Sequence, residues 1–144
     1  MKKKFPFYQQ LDAMDCGPTC LRMIAQYYGK HYSLETSRQK SDIGPQGVNL
    51  LGISYAAESI GFKTLGVRLS FDKLCEAPLP CIVHWKQNHF VVLYDIKKSK
   101  KHDAIVYVSD PNSGHIRYNK EEFISSWTNF SNNNTPEGVA LLLE

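Results

Sequence analysis

The sequence predicts an α+β fold in which helices from the first half of the chain pack on an antiparallel sheet formed by the second half. Apolar residues recur at helical spacing in the first sixty residues. Runs rich in β-branched and aromatic residues, separated by short polar segments, dominate the rest. The 144 residues, 42% of them hydrophobic, suffice for one core, and no repeat or linker divides them. We therefore expect a single domain spanning residues 1–144.

The first predicted helix begins close to Cys16. Pro18 fixes this start, because the N–H that proline lacks would have no intrahelical partner in the first turn. Gly29 is well placed to end the helix. One face of the helix carries apolar residues at the spacing of an amphipathic helix, namely Leu21, Ile24, Ala25 and Tyr28.

The position of Cys16 at a helix start suggests a nucleophile. The positive end of the helix dipole favours the thiolate, which is the nucleophilic form of the side chain. A free cysteine is otherwise most often a small buried hydrophobe, and we expect that role for Cys20, one helical turn later. The nucleophile hypothesis therefore depends on whether a base and an oxyanion stabiliser exist elsewhere.

The later elements follow from capping residues, glycines and β-branched runs. The predicted helices are a short one capped by Ser33 and running through Lys40, one over Asn49–Ile60 ended by Gly61, a short one near Asp72–Glu76, and one from the capping box of Asn119 and Glu122 to Thr128. A loop at Gly44–Gly47 separates the first two. The predicted strands cover Phe62–Leu69, Cys81–Trp85 and Phe90–Tyr94, followed by one closed by Asp110, one near Ile116 and a final one over Gly138–Leu143.

His89 is the best candidate for a general base. It lies at the beginning of a predicted strand, directly after a short polar turn, where a rigid scaffold commonly presents catalytic groups. His84 is its rival but falls inside the preceding strand. The remaining histidines lie in polar or turn-like surroundings, at His31, His102 and His115. The alternative for His89 is a hydrogen-bonded surface side chain.

Asp110 is the candidate for a group that orients the histidine, which a general base normally requires. If the two strands form a hairpin that turns near Ser99 and Lys100, residues whose numbers sum to about 199 face each other, which places His89 opposite Asp110. Asp95 fails this test, because it lies roughly 20 Å along the same strand at about 3.3 Å per residue. A simple Asp-Pro turn is the alternative interpretation of Asp110.

Gln10 is a candidate for stabilising an oxyanion. Its side-chain amide and the backbone N–H of Cys16 would form a two-donor oxyanion hole. Gln9 is an equal candidate, because spacing alone does not choose between the two glutamines.

Three segments, QLDAMDCGPTCL, HFVVLYDI and VSDPNSG, together resemble a known family. They are similar to the peptidase domains of bacterial peptidase-containing ABC transporters, which process and export bacteriocins and related peptides. The resemblance runs from about Phe7 to Leu143. It implies a papain-like cysteine protease fold.

The resemblance also implies the roles of the candidate residues. Cys16 would be the nucleophile, His89 the general base and Asp110 the orienting group, and Gln10 rather than Gln9 would complete the oxyanion hole. One feature departs from the family. The basic run KKSKKHD (residues 97–103) between the histidine and aspartate strands is longer than the family's usual connection, and we expect it to be a solvated turn.

The function implied by the resemblance is that of a thiol endopeptidase without a cofactor or metal. It would cut the leader of an exported peptide after a Gly-Gly pair. Its partners would be the leader peptide and the transmembrane and ATP-binding domains of a transporter, of which it would form the N-terminal domain at the cytoplasmic face of the inner membrane. Two alternatives stay open, a noncatalytic docking module for leader peptides and a papain-like acyl or γ-glutamyl transferase.

Composition excludes several other classes of function. The net charge of +3 is small and scattered, which argues against a nucleic-acid partner. No apolar run is long enough to span a membrane, and the basic start MKKKFPFY lacks the apolar segment of a signal peptide. The four cysteines then indicate a reduced compartment, and their intervals of three and five intervening residues are too wide for a paired zinc site.

Overall fold

The fold is seen in a computed structural model that describes residues 4–11, 15–33, 36, 49–86, 89–98 and 104–144. In these ranges the helices are α1 (Cys16–Tyr27), α2 (Leu50–Ser59), α3 (Phe71–Leu74) and α4 (Lys120–Trp127). The strands are β1 (Thr64–Ser70), β2 (Cys81–Trp85), β3 (His89–Lys97), β4 (Ile105–Asp110), β5 (Gly114–Asn119), β6 (Thr128–Asn132) and β7 (Thr135–Leu143). The predicted α+β class is confirmed.

Helix α1 starts at Cys16 as predicted, and it is the most deeply buried helix described. Its first six residues are all buried, as are Met23, Ile24 and Ala25. Gly29 adopts a φ of +86° just beyond the helix, a conformation that glycine tolerates and that stops the helical hydrogen bonding. Tyr28 was expected on the buried face but is 46% exposed, because it follows the last helical residue.

Helix α2 confirms the helix predicted over Asn49–Ile60, and Asn49 proves to be its N-cap. The Asn49 side chain accepts a hydrogen bond from the Gly52 N–H at 2.8 Å, and Gly61 with a φ of +104° follows the helix. The short helix predicted through Lys40 and the loop at Gly44–Gly47 lie almost wholly outside the described residues. At the predicted cap, the Ser33 hydroxyl accepts a hydrogen bond from the Thr36 N–H at 3.1 Å.

The strands form one antiparallel sheet of seven strands in the described part of the chain. Their order is β1-β7-β2-β3-β4-β5, and β6 pairs with β7. The last strand of the chain therefore lies between β1 and β2. Strand β6 was not predicted, because its sequence is polar. Its turn is made by Asn133 and Asn134, whose φ values of 51° and 66° are typical of a two-residue hairpin turn.

The sheet separates two apolar cores. Helices α1 and α2 cover one face, where Ile82, Phe90 and Val92 belong to what we call the α1-face core. Helix α4 covers the other face, where alternate residues such as Val91 and Leu93 belong to the α4-face core. This separation follows from the period of two in a strand, which sends successive side chains to opposite faces.

Helix α4 is fixed at both ends, by a capping box at its start and by a contact with β7 at its end. The predicted capping box is confirmed, because Asn119 and Glu122 exchange side-chain to backbone hydrogen bonds at 2.8 and 3.0 Å. At the other end of the helix the buried Trp127 indole N–H donates to the Val139 carbonyl at 3.0 Å. No helix among the described residues is long and apolar enough to cross a membrane.

Candidate active site

Cys16 lies at the N-terminal end of α1, on the border of the α1-face core, with 5% of its surface exposed. Cys16 is the first residue of the helix, and the backbone N–H groups of the first helical turn have no acceptor within the helix. The Cys16 N–H is one of these groups. Its side chain is within hydrogen-bonding reach of His89. The fold therefore brings together two residues separated by more than seventy positions in the sequence.

The His89 ring is held by Asp110. The His89 Nε2 and Asp110 Oδ1 atoms are 2.7 Å apart, and the same carboxylate oxygen accepts the Asn112 N–H at 2.9 Å. Because Nε2 is occupied by the carboxylate, the other ring nitrogen, Nδ1, is left for the sulfur of Cys16. The three side chains thus form a continuous chain of polar contacts, which is the arrangement of a nucleophile, a base and an orienting group.

The strand register differs from the prediction. Val92 pairs with Ser109, so continuing the same register places Asp110 level with Val91 and not directly opposite His89. A β-bulge between Leu93 and Asp95 shifts the register by one residue, and without it Asp110 would lie level with Val92, one position farther from His89. The contact survives because diagonal neighbours two residues apart remain within reach of longer side chains.

The turn predicted at residues 99–100 and most of the basic run lie outside the described residues. The described part of the connection ends at Lys98 and resumes at Ala104.

Electrostatics favour a charged His89. Burial by itself would lower the pKa of this imidazole, but the hydrogen bonds to Asp110 and Cys16 and their negative charges outweigh it and raise the pKa to about 9. For Asp110, burial would raise the pKa, but the hydrogen bonds from His89 and the Asn112 N–H, and then the charges of His89 and Lys86, hold the pKa below its usual range. At neutral pH the site therefore holds an imidazolium between two acidic groups.

The two glutamines take different positions. Gln10 lines an open cavity of about 450 Å³ that His89 also lines, and its backbone N–H donates to the Pro111 carbonyl at 2.8 Å. Gln9 is exposed, and its side-chain amide donates to the Asn112 carbonyl at 3.1 Å. Gln10, and not Gln9, therefore belongs to the lining of the cavity that His89 also lines.

Cys20 is a core residue, as predicted. It is fully buried, and its thiol donates a hydrogen bond to the Phe90 carbonyl at 3.3 Å. Burial first, and then the charges of Cys16 and Asp110, raise the pKa of the Cys20 thiol well above its usual value. It stays an inert thiol one turn away from Cys16.

The rival histidines lie elsewhere. His84 is half-buried within β2, and its ring packs against Phe90 with 5.2 Å between the ring centroids. His115 is exposed, and its Nε2 lies 3.4 Å from the Pro6 carbonyl oxygen. His31 is exposed, and His102 falls outside the described residues.

Six further residues line the cavity beside His89, and no sequence signal assigned them a role. They are Trp85, Lys86, Asn112, Ser113, Ile116 and Tyr118. Alternation along β5 puts Ile116 and Tyr118 on one face, but only the register of β4 with β5 shows that Asp110 shares it. That register was not assigned from the sequence.

Comparison with known proteins identifies the family. A model of the peptidase C39 family matches residues 4–133. The probable microcin-H47 secretion/processing ATP-binding protein of Escherichia coli is 33% identical over 127 residues, which are 88% of this chain and 18% of that protein. The colicin V secretion/processing ATP-binding protein of Escherichia coli is 34% identical over 126 residues, 88% of this chain and 17% of that protein. The chain thus spans less than a fifth of these relatives.

Solved structures agree. The crystal structure of a double glycine motif protease from an AMS/PCAT transporter, in complex with the leader peptide, superposes with a TM-score of 0.83 at 34% identity, covering 97% of this chain and 91% of that chain. The peptidase domain of Streptococcus ComA, a bi-functional ABC transporter involved in a quorum sensing pathway, gives 0.80 at 30% identity, with 97% and 98% covered. The papain-like fold expected from the sequence is confirmed, and the chain belongs to the peptidase C39 family of proteases.

Proposed function

We propose that this chain is a cysteine endopeptidase that removes the leader of an exported peptide by cutting after a Gly-Gly pair. The proposal is carried by the polar contacts that link Cys16 through His89 to Asp110. These contacts place His89 where it can exchange a proton with the Cys16 thiol, which activation of such a nucleophile requires.

The proposed reaction is acyl transfer in two steps. The Cys16 thiolate attacks the carbonyl carbon that precedes the scissile bond, and the Gln10 amide and the Cys16 backbone N–H stabilise the oxyanion. His89 then gives its proton to the leaving amine, and the C–N bond breaks to leave a thioester. Water, deprotonated by His89, attacks the thioester and releases the leader with a free carboxylate.

The substrate class and the wider context come from the relatives. Their names describe secretion and processing by ATP-binding proteins, and one superposable protease is solved with its leader peptide bound. We therefore place this chain as the N-terminal peptidase domain of an ABC exporter, at the cytoplasmic face of the membrane. The transmembrane and ATP-binding domains of the exporter would then be further domains of the same polypeptide.

The test is mass spectrometry of a synthetic peptide with an amphipathic leader that ends in Gly-Gly, incubated with the chain. We expect one cut after the second glycine, with water added to the new carboxyl group, and no cut by Cys16→Ala. A peptide that binds but stays intact would instead indicate a docking module. An amine in place of water in the product would indicate a transferase.

A further inference from the structure

The cavity beside His89 lies on the face of the sheet that is opposite to α1. We call it the α4-face cavity, and its wall is formed by Trp85, Ile116 and Tyr118, with Lys86 at its rim. Trp85 pairs with His89 across β2 and β3, and directly paired residues point to the same face. Trp85 belongs to the α4-face core, which fixes which face this is.

The nucleophile approaches from the other side. Cys16 belongs to the α1-face core and is absent from the residues that line the cavity, whereas His89, Asp110 and Gln10 are present. The catalytic pair therefore meets at the end of β3, where the sulfur comes from one face of the sheet and the imidazole borders the other. A substrate held between them has unequal surroundings on its two sides.

The proposed reaction sets the direction of the substrate chain. The scissile carbonyl carbon must contact Cys16, and the scissile nitrogen must lie near the imidazole that protonates it. The residue that carries this nitrogen then continues past His89, away from Cys16. The α4-face cavity is the described space that opens there, and its volume of about 450 Å³ exceeds what one side chain needs.

The cavity combines an apolar wall with polar and charged groups. Its polar lining holds Gln10, His89, Asp110, Asn112 and Ser113, and Lys86 lies at its rim, so the imidazolium and the ammonium outnumber the single carboxylate. Trp85 and Tyr118 pack with their ring centroids 5.2 Å apart, and the half-buried Ile116 extends the wall beside them. Lys86 is exposed, and its backbone is fixed in the left-handed region with a φ of 48° by an N–H donated to the Ser126 carbonyl at 2.7 Å. Within the described parts of the chain, Lys86 makes no ion pair within 4.0 Å of a carboxylate, although its charge helps to lower the pKa of Asp110 in the same cavity.

We propose that the α4-face cavity is a specificity subsite for the first residue after the scissile bond, and that it favours a side chain with an apolar stem and an acidic end over a basic one. This inference rests on the proposed function, because it places the leaving amine beside His89. The stem would lie along Trp85 and Tyr118, while the carboxylate would approach the ammonium group of Lys86.

The test compares three leader peptides that differ only in the residue after Gly-Gly, which is glutamate, glutamine or lysine. With the wild-type chain at low salt, we expect kcat/KM to fall in that order, by about fivefold from glutamate to lysine, as for one exposed charge pair. Lys86→Glu should reverse the order, and Lys86→Met should abolish it. High salt should shrink the ratio, because the charges are screened.

The ratio between peptides is the informative quantity. If a Lys86 variant changes the intrinsic reactivity of His89 or Asp110, all three rates change by the same factor, and this factor cancels in the ratio. Lys63→Glu, the same charge change at the opposite edge of the sheet beside β1, should keep the wild-type ratio. Equal rates for the three peptides, or a ratio unchanged in Lys86→Glu, would overturn the subsite while leaving the peptidase intact. Failure to cut any of the three would overturn the proposed function and the subsite with it.

Discussion

At the scale of single residues, the proposed chemistry depends on how three side chains modify one another. His89 alone would have its pKa lowered by burial, and only its contacts with Asp110 and Cys16 reverse the direction. Cys16 and Cys20 lie one helical turn apart, yet one borders the histidine and the other is sealed in the core. The two cysteines therefore differ in expected role because their surroundings differ, although their residue type is the same.

Substitution of the two cysteines of α1 tests this distinction. We expect Cys16→Ala to lose at least about a thousandfold in kcat/KM, because no other group supplies the nucleophile. Cys20→Ala should keep much of the rate and lose about 1 kcal/mol of stability through its missing hydrogen bond and packing. Peptide cleavage and urea unfolding measure the two effects. An active Cys16→Ala with an inactive Cys20→Ala would reverse the assignment of the nucleophile.

The pH dependence of cleavage tests the role of Asp110. The active form carries a protonated His89, so kcat/KM should fall as the pH rises through about 9. Asp110→Asn removes a negative charge that favours the imidazolium, so the pKa of His89 should drop and the alkaline limb should move to lower pH. The rate should also fall roughly 10²- to 10⁴-fold. An alkaline limb that stays in place in Asp110→Asn would show that the carboxylate does not hold the ring.

At the scale of elements, the position of the site depends on how helices are fixed to the sheet. Helix α1 delivers Cys16 to the end of β3, and a hydrogen bond from Cys20 to the Phe90 carbonyl joins the two elements beside His89. On the other face, α4 ends in Trp127, which lies against β7 without a gap. A Cβ atom on Gly138 would overlap the Trp127 ring.

Two glycines on paired strands provide a test of that packing. Gly138→Ala should lower the free energy of unfolding by about 1 to 3 kcal/mol, because the indole or the strand must move. Gly66→Ala, on the neighbouring strand β1, is the control. There a new Cβ would meet only Leu50 Cδ2 at an ordinary 3.6 Å. Denaturant unfolding measures both changes, and equal stability of the two variants would argue against close packing of Trp127 on Gly138.

At the scale of the whole molecule, one sheet is shared by two cores, and the residues of the candidate site come from both faces of that sheet. The α1-face core holds Cys20, and the α4-face core holds Cys81, each with no exposed surface. Because both faces rest on the same strands, neither core can open without exposing the other. The molecule should therefore unfold as one cooperative unit.

Cysteine labelling measures this cooperativity. Under native conditions with a slow thiol reagent, Cys20 and Cys81 should react with the same opening free energy, equal to the global free energy of unfolding. Cys16 should react much faster, because it lies at the border of its core beside His89 and keeps 5% of its surface exposed. Site-resolved mass spectrometry separates the three. A clear difference between Cys20 and Cys81 would mean that the two cores open independently.

Local signals in the sequence determined most elements and the identity of the candidate residues. The start of α1 at Cys16, the caps at Asn49 and Asn119, and strand β2 all follow from interactions among residues close in the chain. Short-range sterics and hydrogen bonds are encoded locally, so a pattern can reveal them. The choice of Gln10 over Gln9 came only with the resemblance to a family.

The tertiary structure alone decided register, strand order and the surroundings of the site. The register of β3 with β4 set Asp110 diagonal to His89, and β7 was inserted between strands far earlier in the chain. The α4-face cavity exists only because β2 and β5 bring Trp85, Lys86 and Tyr118 beside His89. Such pairings depend on the packing energy of the whole sheet, and this energy cannot be inferred from any single segment of the sequence.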